Sequence, residues 1–184
     1  MANDIKRIEI GAAAISVSAY VTAGGAGSFT DVGYTEGPAT VEHEASDYKV
    51  EPEQVLGGIR SVPTKFGAKL KFAMKESAGA NLVTALRQTA GNLTGTPPNT
   101  TLLVGDPIEV YNQVKLVTKG GRATALGNDA TQTWTFWRCA SATTEPIGIT
   151  KEKEKIVGVT LDVLYDESVT TADKYYKQVN ASGT

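Results

Sequence analysis

The sequence predicts a mainly β protein of α+β type: an antiparallel sandwich or barrel with one packed α-helix, a long hairpin loop and extended terminal arms. Three observations predict it. Apolar and polar residues alternate along most of the 184-residue chain, the period of a half-buried strand. Only the stretch 77–88 changes to helical spacing. Polar stretches carrying Gly, Pro or Asn separate the alternating segments and read as turns.

In chain order, Ile8 and Ile10, then Ile15, Val17 and Ala19, mark an N-terminal strand region, and the glycine-rich run after Ala23 reads as a loop. Thr40–Glu44 alternates with Val41 and His43 facing one way and Glu42 and Glu44 the other. Between Ser46 and Pro63 the chain is too polar to bury much by itself, the composition of a long hairpin tip. Phe66, Ala68, Leu70, Phe72 and Met74 then form one face of a strand whose other face carries lysines. The helix is expected over Ser77–Gln88, with Ser77 as N-cap and Gly91 as its stop. Three more strands follow. Ile108–Val117 sets Ile108, Val110, Val114 and Leu116 inward, Thr131–Ala142 sets Trp134, Phe136 and Arg138 against Trp137 and Cys139, and Lys155–Tyr165 sets Val157, Val159, Leu161, Val163 and Tyr165 on one face. Turns are expected at Gly120-Gly121 and Gly127-Asn128-Asp129, and a loop around Pro97-Pro98. The organisation read from this is an N-terminal strand and loop (1–27), a β domain (28–168) and a polar C-terminal arm (169–184) whose only large apolar pair is Tyr175-Tyr176.

Composition excludes several classes. A formal net charge of −2 supplies no global positive field for a dedicated nucleic-acid binder. Cys139 is the single cysteine, so no intramolecular disulfide and no cysteine-rich metal site can form; among Trp134, Phe136 and Trp137 it reads as a buried thiol. No apolar run has the length of a membrane span or the form of a secretory leader, and the expected setting is a bacterial cytoplasm without export.

Catalytic chemistry finds few parts. His43 is the only histidine, and no Gly-x-Ser-x-Gly elbow stands beside it to build a nucleophile. The carboxylates Glu42, Glu44, Asp47, Glu51 and Glu53 lack an EF-hand register, and the glycine runs match neither phosphate-binding pattern. No catalytic, metal or cofactor residue is assigned, and no enzyme is expected. A carbohydrate- or protein-binding sandwich stays open as a second class, with Trp134, Trp137 and Tyr111 as its ligand platform.

The order of elements carries a resemblance. Asp31-Val32-Gly33-Tyr34-Thr35-Glu36-Gly37 leads into an alternating strand, then an acidic-tipped hairpin through Val55-Leu56-Gly57-Gly58-Ile59, the Phe66–Lys75 strand, and a helix directly after it. Ile156-Val157-Gly158-Val159-Thr160-Leu161-Asp162-Val163-Leu164-Tyr165-Asp166 closes the domain. This succession, over roughly residues 28–168, resembles the major tail tube proteins of long-tailed phages, related in turn to contractile-tail and secretion tubes. The resemblance implies hexameric rings stacked into a hollow tube, sheets joined between subunits around a lumen, and DNA passing through without sequence-specific binding. Its implied partners are further copies of the chain and the tape-measure, tail-terminator and baseplate proteins. Its implied location is the virion tail, assembled in the host cytoplasm, with no membrane. Another virion role, such as tail completion, is the neighbouring alternative.

A wall that lets DNA slide must not hold phosphate. Glu42 and Glu44 are therefore expected to face the lumen, and the row Lys65, Lys69, Lys71 and Lys75 a neighbouring subunit. The hairpin residues Asp47, Glu51, Glu53, Leu56, Ile59 and Arg60 are the expected contacts between rings.

Overall fold

The computed structural model describes residues 14–25, 27–50, 60–75, 79–88, 90–96, 99–106, 108–119, 131–144 and 156–181. Ile8, Ile10, Ser77, Glu51, Glu53, Leu56 and Ile59, the Pro97-Pro98 pair and both expected glycine turns after residue 119 lie outside them. The strands are β1 (Ala14–Ala19), β2 (Thr30–Asp31), β3 (Thr35–Val50), β4 (Arg60–Met74), β5 (Leu93–Thr96), β6 (Asn99–Leu102), β7 (Asn112–Lys119), β8 (Thr131–Thr144), β9 (Val157–Val163) and β10 (Tyr176–Ala181), with helix α1 at Gly79–Ala85. Eight strands make one sheet in the order β2-β1-β7-β8-β9-β4-β3, with β10 also on β8, and β5-β6 form a separate hairpin. Every pairing is antiparallel. The protein is thus mainly β with one helix among the described residues.

Strands β1 and β4 are separated by three others in the sheet, yet their inward residues Ile15, Leu70, Phe72 and Met74 join Val114, Leu116, Phe136, Val159 and Leu161 in one buried cluster. A sheet brings such distant strands onto one core only by curving around it. The short helix lies on this inner side. Ala85 is buried, and the buried Ser141 hydroxyl of β8 donates to its carbonyl at 3.2 Å.

The expected inward face of β4 is buried at Ala68, Leu70, Phe72 and Met74, but Phe66 is 45% exposed. The reason is pairing. β9 accompanies β4 only from Ala68 to Met74, and Phe66 lies beyond that cover. On β8 the simple alternation fails between Phe136 and Cys139. Asn112 pairs with Cys139 and Val114 with Phe136, so β8 carries one residue more than β7 over this interval. That bulge puts both Phe136 and Cys139 on the inner face, each fully buried, and inverts the later part of the pattern. The segment 108–111 is not strand; its Ile108 amide donates to the Arg87 carbonyl and its Tyr111 carbonyl accepts from the Tyr20 amide.

The C-terminal segment, read above as a polar arm, is folded onto the sheet as far as Ala181. β9 pairs with the second half of β8 and β10 with the first half, so the two lie end to end along one edge. Tyr176 sits opposite Phe136 and stacks on Trp134 at 5.5 Å, supplying the aromatic area that makes this docking favourable.

The helix is shorter than expected and stops before Gly91. Arg87 has φ 54, and the Gln88 amide donates to Val83 C=O at 2.9 Å, the closing bond of a left-handed C-cap normally built on glycine. An arginine there carries a conformational cost of about 1–2 kcal/mol. Arg87→Gly is expected to raise the unfolding free energy by about 1 kcal/mol, read as a shifted denaturation midpoint with unchanged slope.

Candidate assembly surfaces

The charged rows of β3 and β4 share one face, which corrects the expectation that they face apart. In an antiparallel hairpin, residues opposite each other point to the same side, and Glu42 is opposite Lys69. Each lysine then reaches the carboxylate diagonal to it. Lys71 Nζ lies 2.8 Å from Glu42, Lys69 Nζ 2.5 Å from Glu44, and Lys75 Nζ 2.6 Å from Glu36. Lys65 Nζ stands 4.0 Å from Glu44. The Lys69 hydrogen bond, then its charge, holds the Glu44 carboxyl below its ordinary range, with Lys65 and Lys71 adding to this. The same bond from Glu44 pushes Lys69 up, and Asp162 of β9 and Glu42 add to it. The face is a charge-balanced lattice, with neither a bare carboxylate row nor a bare lysine row.

Beyond this lattice the hairpin leaves the sheet. Among the described residues β3 pairs only with β4, and β4 before Ala68 pairs only with β3. Six residue pairs, from Ala45 opposite Phe66 to Val50 opposite Arg60, form a two-stranded arm. The register shifts between Ser46 and Asp47, which face Lys65 and Pro63. The extra residue is Thr64, whose hydroxyl donates to Ser46 C=O at 2.9 Å. Because the insertion is in β4, β3 keeps its alternation, and Tyr48 and Val50 continue the face that carries Glu42 and Glu44. Tyr48, opposite Val62, is 64% exposed. The lattice face therefore changes on the arm to Tyr48, Val62 and Val50, with Arg60 at its outer end, a change hidden in the sequence by the acidic character of the whole segment. Asp47 points to the other side, accepting from the Ser61 hydroxyl at 2.9 Å, and Arg60 lies opposite Val50 at the outer end.

Where the arm departs, an aromatic joint ties it to the C-terminal strand. His43 Nε2 and the Tyr176 hydroxyl are 2.8 Å apart, and the Tyr175 hydroxyl donates to Phe66 C=O at 3.0 Å. Phe66 and Tyr175 meet edge to face at 5.0 Å, and Tyr165 meets Tyr175 at 5.5 Å. The sequence places His43 on the Val41 face as a structural or surface histidine and Tyr175-Tyr176 as an arm pair; nothing in their spacing joins residues so far apart.

The remaining sequence candidates are occupied within the fold. Cys139 is buried, and burial pushes its thiol above the ordinary range. The rings suggested as a ligand platform do not form an open one. Trp134 stacks on Tyr176, Trp137 Nε1 donates to Asp173 C=O at 2.8 Å, and the Arg138 guanidinium covers Tyr111 at 3.9 Å. Among the described residues no group of three His, Cys, Asp or Glu side chains is gathered to hold a metal, and no helix is long and apolar enough to cross a membrane. No family model matches the chain, and no curated protein matches it.

Proposed function

We propose that this chain is a structural virion subunit that assembles into six-membered rings stacked as a tail tube, through which DNA passes. The observation that carries the reading is the arm. Two strands that pair only with each other are marginal in water, yet this arm extends six residue pairs beyond the sheet and exposes Tyr48. Such an element gains its stability from a surface supplied by another molecule. The 16-residue strand β3, paired on one edge, adds backbone groups that a neighbouring copy can satisfy, and closure into a ring removes the hazard of an open edge. The balanced Glu–Lys lattice suits a channel wall, since lysines already bonded to carboxylates offer phosphate little. Tape-measure, terminator and baseplate proteins are the partners that this role entails.

Negative-stain microscopy of the purified protein tests the reading. Long hollow tubes or closed rings are expected; monomers at every concentration would sink it. Deleting Glu51–Gly58, the connection between the two arm strands, should leave a folded subunit that forms no tubes, and normal tubes from that deletion would remove this connection from the contact.

A further inference from the structure

The joint between the arm and the C-terminal strand has a geometry that its stability alone does not require. Among the described residues β4 pairs with β9 from Ala68 onward, and before Ala68 its only strand partner is β3. A twisted two-stranded ribbon released in this way has no fixed direction of its own. Two cross-links meet the two strands at the release point, one on the first residue pair of the arm and one on β3 opposite Ala68, the last β4 residue held by β9. The Tyr175 hydroxyl takes Phe66 C=O of β4 at 3.0 Å, and the Tyr176 hydroxyl takes His43 of β3 at 2.8 Å. Tyr176 opens β10 and Tyr175 immediately precedes it; the pair is fixed on β8 by Tyr176 opposite Phe136 and by the Trp137 amide donating to Tyr175 C=O at 3.3 Å. The ring contacts Phe66–Tyr175, His43–Tyr176 at 5.8 Å and Trp134–Tyr176 extend the joint inward.

We propose that Tyr175 and Tyr176 are the positioning residues of the arm: they set the direction in which it leaves the sheet, so that presentation of the Tyr48 face depends on β10 being docked on β8. The proposal rests on the reading of the arm as the contact element only for its consequence in assembly; the direction of the arm is a property of the single subunit. A subunit whose C-terminal strand is undocked would then be folded but unable to present its arm, which couples completion of folding to assembly. The two tyrosines act through the arm and touch no partner in this account.

The test is a distance measurement in unassembled protein between spin labels on cysteines introduced at Lys49, on the arm, and Thr30, on the far edge of the sheet; buried Cys139 leaves the introduced thiols as the accessible ones. The parent protein should give one narrow distance distribution. The variant Tyr175→Phe/Tyr176→Phe/His43→Leu removes the hydrogen bonds of the joint but keeps its apolar rings at 175 and 176. It should broaden the distribution about twofold, while the distance between labels at Thr30 and Ser61→Cys broadens in parallel and that between Thr30 and Lys115 does not change. An unchanged arm distribution overturns the proposal. Broadening throughout the molecule, Lys115 included, overturns it too, by showing a purely structural role. Selective broadening with normal tube formation would leave the positioning role intact and remove the arm from assembly, so the two failures are distinguishable.

Discussion

Gln113→Glu is expected to lower the unfolding free energy by about 4 kcal/mol, and Gln113→Ala by about 3 kcal/mol, against a total of roughly 5–15 kcal/mol for a domain. Gln113 is fully buried on β7. Its Nε2 donates to Val21 C=O and Gly25 C=O at 3.1 Å each, and its Oε1 accepts from the Gly27 amide at 3.2 Å. One side chain thus closes the loop between β1 and β2. The fit is close: a methyl group at Gly27 would collide with Ser18 and come within 2.9 Å of Gln113 Oε1, so the backbone approaches there because glycine permits it. Alanine leaves two carbonyls and one amide without partners. Glutamate is worse, because it keeps the acceptor for Gly27 but turns an oxygen toward two carbonyl oxygens and buries a charge.

The two variants separate by pH. Burial raises the folded-state pKa of a carboxyl at position 113 above its unfolded value. Protonation therefore favours the folded state, and the deficit of Gln113→Glu should shrink as pH falls through that raised pKa toward the ordinary carboxylate range. The deficit of Gln113→Ala should not move with it. Chemical denaturation at a series of pH values reads both. Equal, pH-independent losses would mean that the loop opens to water at little cost and that the clamp is incidental.

How much of this was legible in the sequence depends on the distance over which each contact acts. Local alternation marked β9 and the Ala68–Met74 part of β4 correctly because one face of each is buried there. Gln113 falls outside the inward set Ile108, Val110, Val114 and Leu116 that alternation gives, since its partners lie in the loop after β1 and no local pattern announces them. Gln88 is similar, its amide bridging Leu86 C=O and Gly105 C=O at 3.1 and 3.2 Å and accepting from Asn92 and the Gly105 amide. The β8 bulge left no mark because a single extra residue changes parity without changing composition. The shared face of Glu42, Glu44, Lys69 and Lys71 was legible in principle. Once β3 and β4 are joined as a hairpin with Val41 and Leu70 both inward, the intervening residues on each strand must point outward together.

That shared face leads to the second large effect. Glu42→Gln/Glu44→Gln should give this charge-paired face an affinity for DNA that the parent lacks. In the parent, Lys71 and Lys69 are bonded to those carboxylates at 2.8 and 2.5 Å; in the variant the same lysines lose these bonded carboxylates, and Lys69 keeps only the more weakly acting Asp162 opposite it on β9. With about two cations exposed to phosphate, the log of DNA affinity should fall with log salt with a slope more negative by about 2 than in the parent, a gain visible as retarded duplex at low salt and absent at high salt. The unfolding midpoint should stay nearly constant, because surface ion pairs contribute little to folding. Acid should reproduce the effect in the parent. Glu44 titrates below its ordinary value of 4.5, so its pairing is complete above that range and is lost only as pH falls through the lowered pKa. DNA retention by the parent should therefore appear below the ordinary carboxylate range, while the double variant retains DNA on both sides of it. If the variant shows no added salt-dependent binding, the lattice does not mask its lysines, and the proposed use of this face as a channel wall loses its support. If the variant still forms tubes but those tubes hold duplex, charge balance on this face is what allows passage.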